Sequence, residues 1–358
     1  MQKNSYPYPV EFIEDVFGQS SAFTDILTRV CPQSPRVLIV ADENVVRHTP
    51  SLGVKIGRWV QEKAIDLASS PVVLSGGEKL KSDNLQSAMR IATSALEAKL
   101  SVNDCIVAIG GGALLDVAGY AAAQVRGGVK LVRIPTTPAA MMDAAFASYA
   151  AVNGVNVKDA MRVASVPEAA VIDVKFADSV LDGVWRAGIG EAVRFAMVSD
   201  GTLMKKLLKL TDKLRERNVE TMSEVIKSVA LSRLKKGSVD FAQWAAFRLE
   251  AMSGYKLPHG YAIGMGICID TAYSVAKGYM KEKDALLVTE MLKESGALEG
   301  LQHSGHLLTR VDGLLHGLDA WKLSLGREQI ILPAGIGKMK LETEIDRATM
   351  KEALNLVK

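Results

Sequence analysis

Apolar and polar positions fall into two regimes along this chain. Between 36 and 173, short β-rich apolar runs at 36–42, 71–74, 106–109, 130–134 and 169–173 alternate with stretches of helical period. Strands that are apolar on both faces and separated by helices predict a parallel sheet covered on both sides. Beyond about 177 the β-rich runs nearly vanish. Amphipathic patterns take over at 203–217, 220–236, 243–253, 261–280 and 283–295, and they predict a helical second half. The expected organisation is an amino-terminal Rossmann-like α/β domain over 1–177 and an all-helical domain over 178–358, with no internal repeat.

Two apolar stretches, 105–125 and 261–276, approach the length of a membrane span. Each carries an aspartate, Asp116 or Asp270, and the first contains three consecutive glycines, so a buried strand and buried helices are expected instead. With 358 residues, 48% hydrophobic and 23% charged, the composition is that of a globular protein with room for two cores. The net charge of +3 gives no reason to expect a nucleic-acid partner. The densest basic stretch, Lys205 to Arg217, spaces its charges around a helix with leucines between them, as a solvated face does. Cys31, Cys105 and Cys268 lack metal-ligand spacing and read as reduced, buried thiols. The first residues, Met1 to Pro7, contain no apolar signal region, and a cytoplasmic protein is expected.

Several residues carry chemistry. Gly110, Gly111 and Gly112 follow an apolar strand and precede an alanine-rich helix, so bare backbone N–H groups at a positive helix end can receive a pyrophosphate. The spacing is not the Gly-x-Gly-x-x-Gly fingerprint, and a plain turn is the alternative. Asp42 ends a strand where a carboxylate can accept from a ribose, a second glycine turn at 75–77 has Glu78 and Lys81 beside it, and Thr136 and Thr137 end another strand. Each alone could be a cap or turn residue. Jointly they favour a dinucleotide cofactor.

The motif series Ser-Gly-Gly-Glu-x-x-Lys from 75, Gly-Gly-Gly-x-x-x-Asp from 110, Pro-Thr-Thr from 135, Arg-Ala-Gly-x-x-Glu from 186 and Pro-His-Gly from 258 resembles the 3-dehydroquinate synthase family, which includes related sugar-phosphate cyclases. The resemblance implies NAD bound by the α/β domain through Asp42, Glu78, Lys81, Gly111, Gly112, Asp116, Thr136 and Thr137. It implies a divalent metal, usually zinc, in the helical domain, held by Glu191, Gln243 and His259, and it implies a homodimer. Asp143 and Asp240 would position substrate hydroxyls, while Lys158 and Arg194 would bind a phosphate. The implied reaction oxidises a hydroxyl, eliminates phosphate, reduces the ketone again and closes a carbocycle.

Departures from the family pattern cluster around the substrate. Gln243, sixteen residues before His259, stands where the family has a second histidine ligand, and Phe247, one helical turn later, replaces another histidine. Glutamine offers oxygen where imidazole offers nitrogen, which favours weaker zinc binding or a harder ion. Tyr149 stands for a lysine, Asp159 and Asp240 for asparagines, and Arg194 for a lysine. Added aspartates disfavour a substrate carboxylate, so a polyol or ketose phosphate is expected in place of the seven-carbon acid. A polyol or glycerol-phosphate dehydrogenase and a catalytically degenerate NAD-binding protein are the competing readings. His303, His306 and His316 default to surface or capping roles, and Lys322 is a further candidate for the active site.

Overall fold

Seven parallel strands make the sheet that the apolar runs predict: β1 (Val10–Phe12), β2 (Arg36–Asp42), β3 (Asp66–Leu67), β4 (Val72–Leu74), β5 (Cys105–Gly110), β6 (Lys130–Pro135) and β9 (Ala169–Ile172). Their order is β1-β9-β6-β5-β2-β3, with β4 also paired to β2. The structure, a computed structural model, describes residues 8–32, 36–326 and 328–357. Met1 to Pro7, read for a signal segment, lie outside the described residues. Two compact units are present: residues up to Val155 with Asp159–Leu181, and Asn156–Lys158 with Asp182–Lys358.

In the first unit, β5 is buried along its whole length, as expected of a strand between two neighbours with helices on both faces. The register pairs Ala41 with Ile109 and Gly110 with Pro135. Asp42, Gly110 and Thr136 therefore end adjacent strands at one carboxyl edge, and the Thr136 N–H donates to the Gly110 carbonyl at 3.0 Å. Ligands of open α/β sheets gather at such edges. The apolar stretch 105–125 is β5 followed by a buried helix, Gly112–Gln124. β7 (Tyr149–Gly154) and β8 (Val157–Ala164) form a separate two-stranded sheet that the apolar pattern did not predict, because β8 is largely exposed and lacks a continuous apolar face.

The second unit is helical, as its periodicity predicts, with Val219–Lys236, Gln243–Met252 and Glu282–Glu294 matching the amphipathic stretches within a few residues. One strand pair, β10 (Ile330–Pro333) and β11 (Met339–Glu342), corrects the all-helical expectation. At its centre is His259–Ala276, buried along most of its length. Its glycines allow close crossings: a Cβ on Gly260 would meet the Ala187 Cα at 2.1 Å, and one on Gly190 would meet the Gly260 carbonyl at 3.1 Å. That crossing with the helix Asp182–Ser199 puts Gly190 and Gly260, the chain neighbours of Glu191 and His259, in contact. A Cβ on Gly266 would lie 2.5 Å from the Ala242 carbonyl, which seats the start of Gln243–Met252 on the same helix. Among the described residues, no helix is long and apolar enough to cross a membrane.

Candidate active site

The carboxyl edge of the sheet has the features a dinucleotide requires. Gly111 is the N-cap of the helix Gly112–Gln124 and no side chain caps it, so the first helical N–H groups point outward without an internal acceptor. Thr136 is 1% exposed, yet its Oγ1 has no hydrogen-bond partner. A buried hydroxyl left without a partner is unfavourable unless a ligand supplies one. Asp42 caps the helix Glu43–His48, accepting from the Asn44 N–H at 2.8 Å. Burial pushes its carboxyl pKa up, against the hydrogen bonds from Asn44. Gly76 packs so closely on that carboxylate that a Cβ would lie 2.3 Å from Oδ2. Thr137 accepts from the Ala140 N–H at 3.2 Å and caps Pro138–Met142, whose C-cap is Asp143. Glu78 accepts from Asn153 Nδ2 at 2.8 Å.

Lys81 is buried between two carboxylates, at 2.6 Å from Asp116 and 2.5 Å from Asp159. Burial works against its charge, but the two carboxylates outweigh this and hold its pKa well above the usual lysine value. Burial also raises the Asp116 pKa, against the pull of Lys81. Asp159 thus answers an internal lysine, which removes much of the repulsion that its sequence position suggested toward a substrate carboxylate. Tyr149, in place of a family lysine, is partly exposed with the Arg162 guanidinium 5.2 Å from its ring centroid.

In the helical unit, Glu191 is held by arginine. Its Oε1 lies 2.5 Å from Arg194 Nη2 and its Oε2 lies 2.9 Å from Arg194 Nε, a two-point grip between residues one helical turn apart. Arg233 Nη1 approaches the same Oε1 at 3.6 Å, and Arg194 Nη1 also donates to the Val239 carbonyl at 2.5 Å. Glu191, Arg194 and Arg233 are 1%, 0% and 3% exposed. Arg194, read as a phosphate contact, therefore has its donors directed into the protein.

A second cluster is built around Glu250, which is fully buried. Its Oε1 lies 2.7 Å from His259 Nδ1, and its Oε2 accepts from the Lys158 ammonium. Burial disfavours charge on His259, but the Glu250 carboxylate outweighs it and raises the imidazole pKa. Phe247 packs edge-on to Trp321 at 5.2 Å, with its centroid 6.1 Å from that of His259, and the Lys158 ammonium sits 5.2 Å from its ring centroid. Lys158 thus serves a buried carboxylate and an aromatic face in the position read as anion binding. Gln243 is the first residue of Gln243–Met252, its N–H donating to the Asp240 carbonyl at 3.2 Å. Lys322 donates to the Thr343 carbonyl at 2.6 Å. Sequence reasoning missed Arg233 and Glu250. Glu250 was detectable as the lone acid on the buried face of its helix, seven positions after Gln243.

The two halves answer differently when tested for the groups that the resemblance implies. The uncapped helix end, the glycine turn and the unpartnered Thr136 hydroxyl fit NAD. The donors at Glu191 do not fit a divalent cation. Both carboxylate oxygens already serve a guanidinium, Gln243 stands in place of one imidazole ligand, and His259 Nδ1 is engaged by Glu250. Among the described residues, no group of three His, Cys, Asp or Glu is arranged to hold a metal ion.

Comparison with known proteins matches both halves of the chain. The family model for the 3-dehydroquinate synthase N-terminal region matches residues 71–186, and that for the C-terminal region matches 188–299. A 3-dehydroquinate synthase of Bacillus cytotoxicus is 30% identical over 260 residues, 69% of this chain and 68% of the relative. ValA, a 2-epi-5-epi-valiolone synthase of Streptomyces hygroscopicus subsp. jinggangensis 5008 solved with NAD+ and Zn2+ bound, shares the fold at TM-score 0.82 and 19% identity, covering 98% of this chain and 96% of that one. A 2-deoxy-scyllo-inosose synthase complexed with carbaglucose-6-phosphate, NAD+ and Co2+ matches at TM-score 0.77 and 18% identity, covering 97% and 96%. With both of its halves matched in order, this chain belongs to the 3-dehydroquinate synthase family.

Proposed function

We propose that this sugar-phosphate-cyclase-like chain is an NAD-dependent enzyme of the cyclase and lyase type that acts on a polyol or ketose phosphate other than the dehydroquinate precursor. The observation that carries the reading is the buried Glu250 carboxylate joining Lys158 to His259. The NAD+ in both solved relatives and the unpartnered Thr136 hydroxyl support the cofactor. The sugar-phosphate analogue in the inosose synthase supports the substrate class.

Bound NAD would supply reversible acceptance of hydride from a carbinol carbon. Glu250 keeps the His259 proton on Nδ1, which leaves Nε2 as the base that takes the hydroxyl proton. Lys158 holds Glu250 in place and balances its charge. Once the carbinol is a ketone, the neighbouring C–H is acidic, so its proton is lost to a base as phosphate leaves, and the ketone would then be reduced again, which restores NAD. Asp143 and Asp240 are proposed to accept hydrogen bonds from substrate hydroxyls, while the Phe247 ring beside His259 cannot exchange protons.

Incubation with NAD and a panel of ketose and polyol phosphates tests the proposal. The expected result is stoichiometric inorganic phosphate with no net NADH, and a loss of about 10²–10⁴-fold in rate for His259→Ala. Net NADH without phosphate would instead mark a dehydrogenase. NAD binding with no turnover on any substrate would mark a binding protein.

A further inference from the structure

We infer that the positive charge at Glu191 is a built-in guanidinium, that of Arg194 supported by Arg233, and that this chain works without a divalent cation there. Three independent features agree. The first is geometry: Arg194 meets both Glu191 oxygens, at 2.5 and 2.9 Å, and is anchored by the Val239 carbonyl at 2.5 Å. With the pair wholly buried, moving the guanidinium aside for an ion would strand charges away from water.

The second is charge. One carboxylate and two guanidinium groups sum to +1, so Glu191 is already charge-compensated without an ion. That compensation is carried by side chains that remain protonated at any working pH. The third is the set of partners. Gln243 withdraws the imidazole of one metal ligand that the resemblance implies, while Phe247, which replaces a histidine outside that ligand set, packs on Trp321 and beneath Lys158. With Arg194 occupying both Glu191 oxygens, an ion would have to displace the guanidinium from one of them. A fixed guanidinium can orient charge but cannot coordinate and acidify a water or hydroxyl as a metal ion does. Proton removal then falls to side chains.

The inference concerns the helical unit alone and does not rest on the cyclase reading. Turnover and NAD binding test that reading, whereas metal content tests this one. The full chain would be measured as purified by plasma emission spectroscopy, and after EDTA treatment and dialysis by thermal melting with and without cobalt(II) and by visible absorption with cobalt(II). The expected result for the wild type is substoichiometric metal, no cobalt spectrum and an unchanged Tm. The combined substitution Arg194→Ala with Gln243→His removes the guanidinium and restores a nitrogen donor, so it should take up one cobalt ion and melt at a higher temperature with it. A folded double variant that ignores cobalt would overturn the assignment to Arg194. If that variant does not fold, Gln243→His alone decides: it should still exclude cobalt. Stoichiometric metal in the wild type, or cobalt binding by the single variant, would overturn the inference.

Discussion

The two units each bury a three-charge cluster, and the clusters are opposite in sign. In the sheet unit one lysine, Lys81, lies between Asp116 and Asp159. In the helical unit one carboxylate, Glu191, lies against Arg194 and Arg233. The contrast is in adaptability as much as in sign. A lysine and two aspartates can shift protons as surroundings change, and burial already raises the Asp116 pKa. Arginine cannot give up its proton in a protein, so the helical cluster is a permanent charge. That permanence lets it stand in for an ion, while the sheet cluster remains responsive to what binds nearby.

The largest expected effect comes from breaking the permanent cluster. Arg194→Leu leaves Glu191 buried with Arg233 alone and should destabilise by about 3–5 kcal/mol, read from urea unfolding. The responsive cluster should yield less. Lys81→Met should cost about 2–4 kcal/mol at neutral pH, and part of that loss should be regained as the pH falls and one of the two facing aspartates takes up a proton. Arg194→Leu should recover less, because Arg233 remains to pair with the Glu191 carboxylate and keep it ionised. Equal pH recovery in both variants would erase the contrast.

Asp270 sharpens the comparison from within the helical unit. Burial pushes its pKa up to about 7, although Trp244 Nε1 at 2.8 Å and the Ala242 N–H at 3.2 Å favour its ionised form. Its folded pKa lies above the unfolded value of about 3.9, so the native state binds more protons between the two. Stability contributed by this group should therefore fall as pH rises from about 4 to about 7, by up to about 1.4 kcal/mol per pH unit, and level off above. Asp270→Asn should flatten that slope in pH-dependent unfolding curves.

Two smaller effects complete the series. Thr136→Val should leave Tm unchanged, since its hydroxyl has no partner in the protein, and should weaken NAD binding by about 0.5–1.5 kcal/mol, up to about tenfold, measured by calorimetry. His259 should titrate by NMR above the usual imidazole value, because Glu250 outweighs burial. Any stability from that pair is complete at low pH and is lost as pH climbs through the raised pKa. Glu250→Gln should move the midpoint down.

Much of the fold was legible because burial on both faces writes itself into a strand as a continuous apolar run. The runs at 36–42 and 130–134 became β2 and β6 with almost the same limits. β1 and β3 escaped because three and two residues carry no period, and their pairing is decided by neighbours distant in sequence. In the candidate site, motifs located the side chains but not their partners. Sequence spacing placed Glu191 and Arg194 one turn apart, yet only the packing reveals that Arg194 turns back onto Glu191 and that Arg233, some forty residues later, joins it. Lys158 and Glu250 are 92 residues apart, and no local signal links them. The glycines at 190 and 260 had a meaning visible only once two helices crossed there.

The central claim is tested most directly by a crystal soaked with NAD and cobalt(II), with anomalous data collected at the cobalt edge. The account predicts no anomalous peak beside Glu191 and an Arg194 guanidinium in bidentate contact with that carboxylate. A cobalt peak at about 2.0–2.2 Å from Glu191 oxygen and His259 nitrogen, with Arg194 displaced, would contradict it.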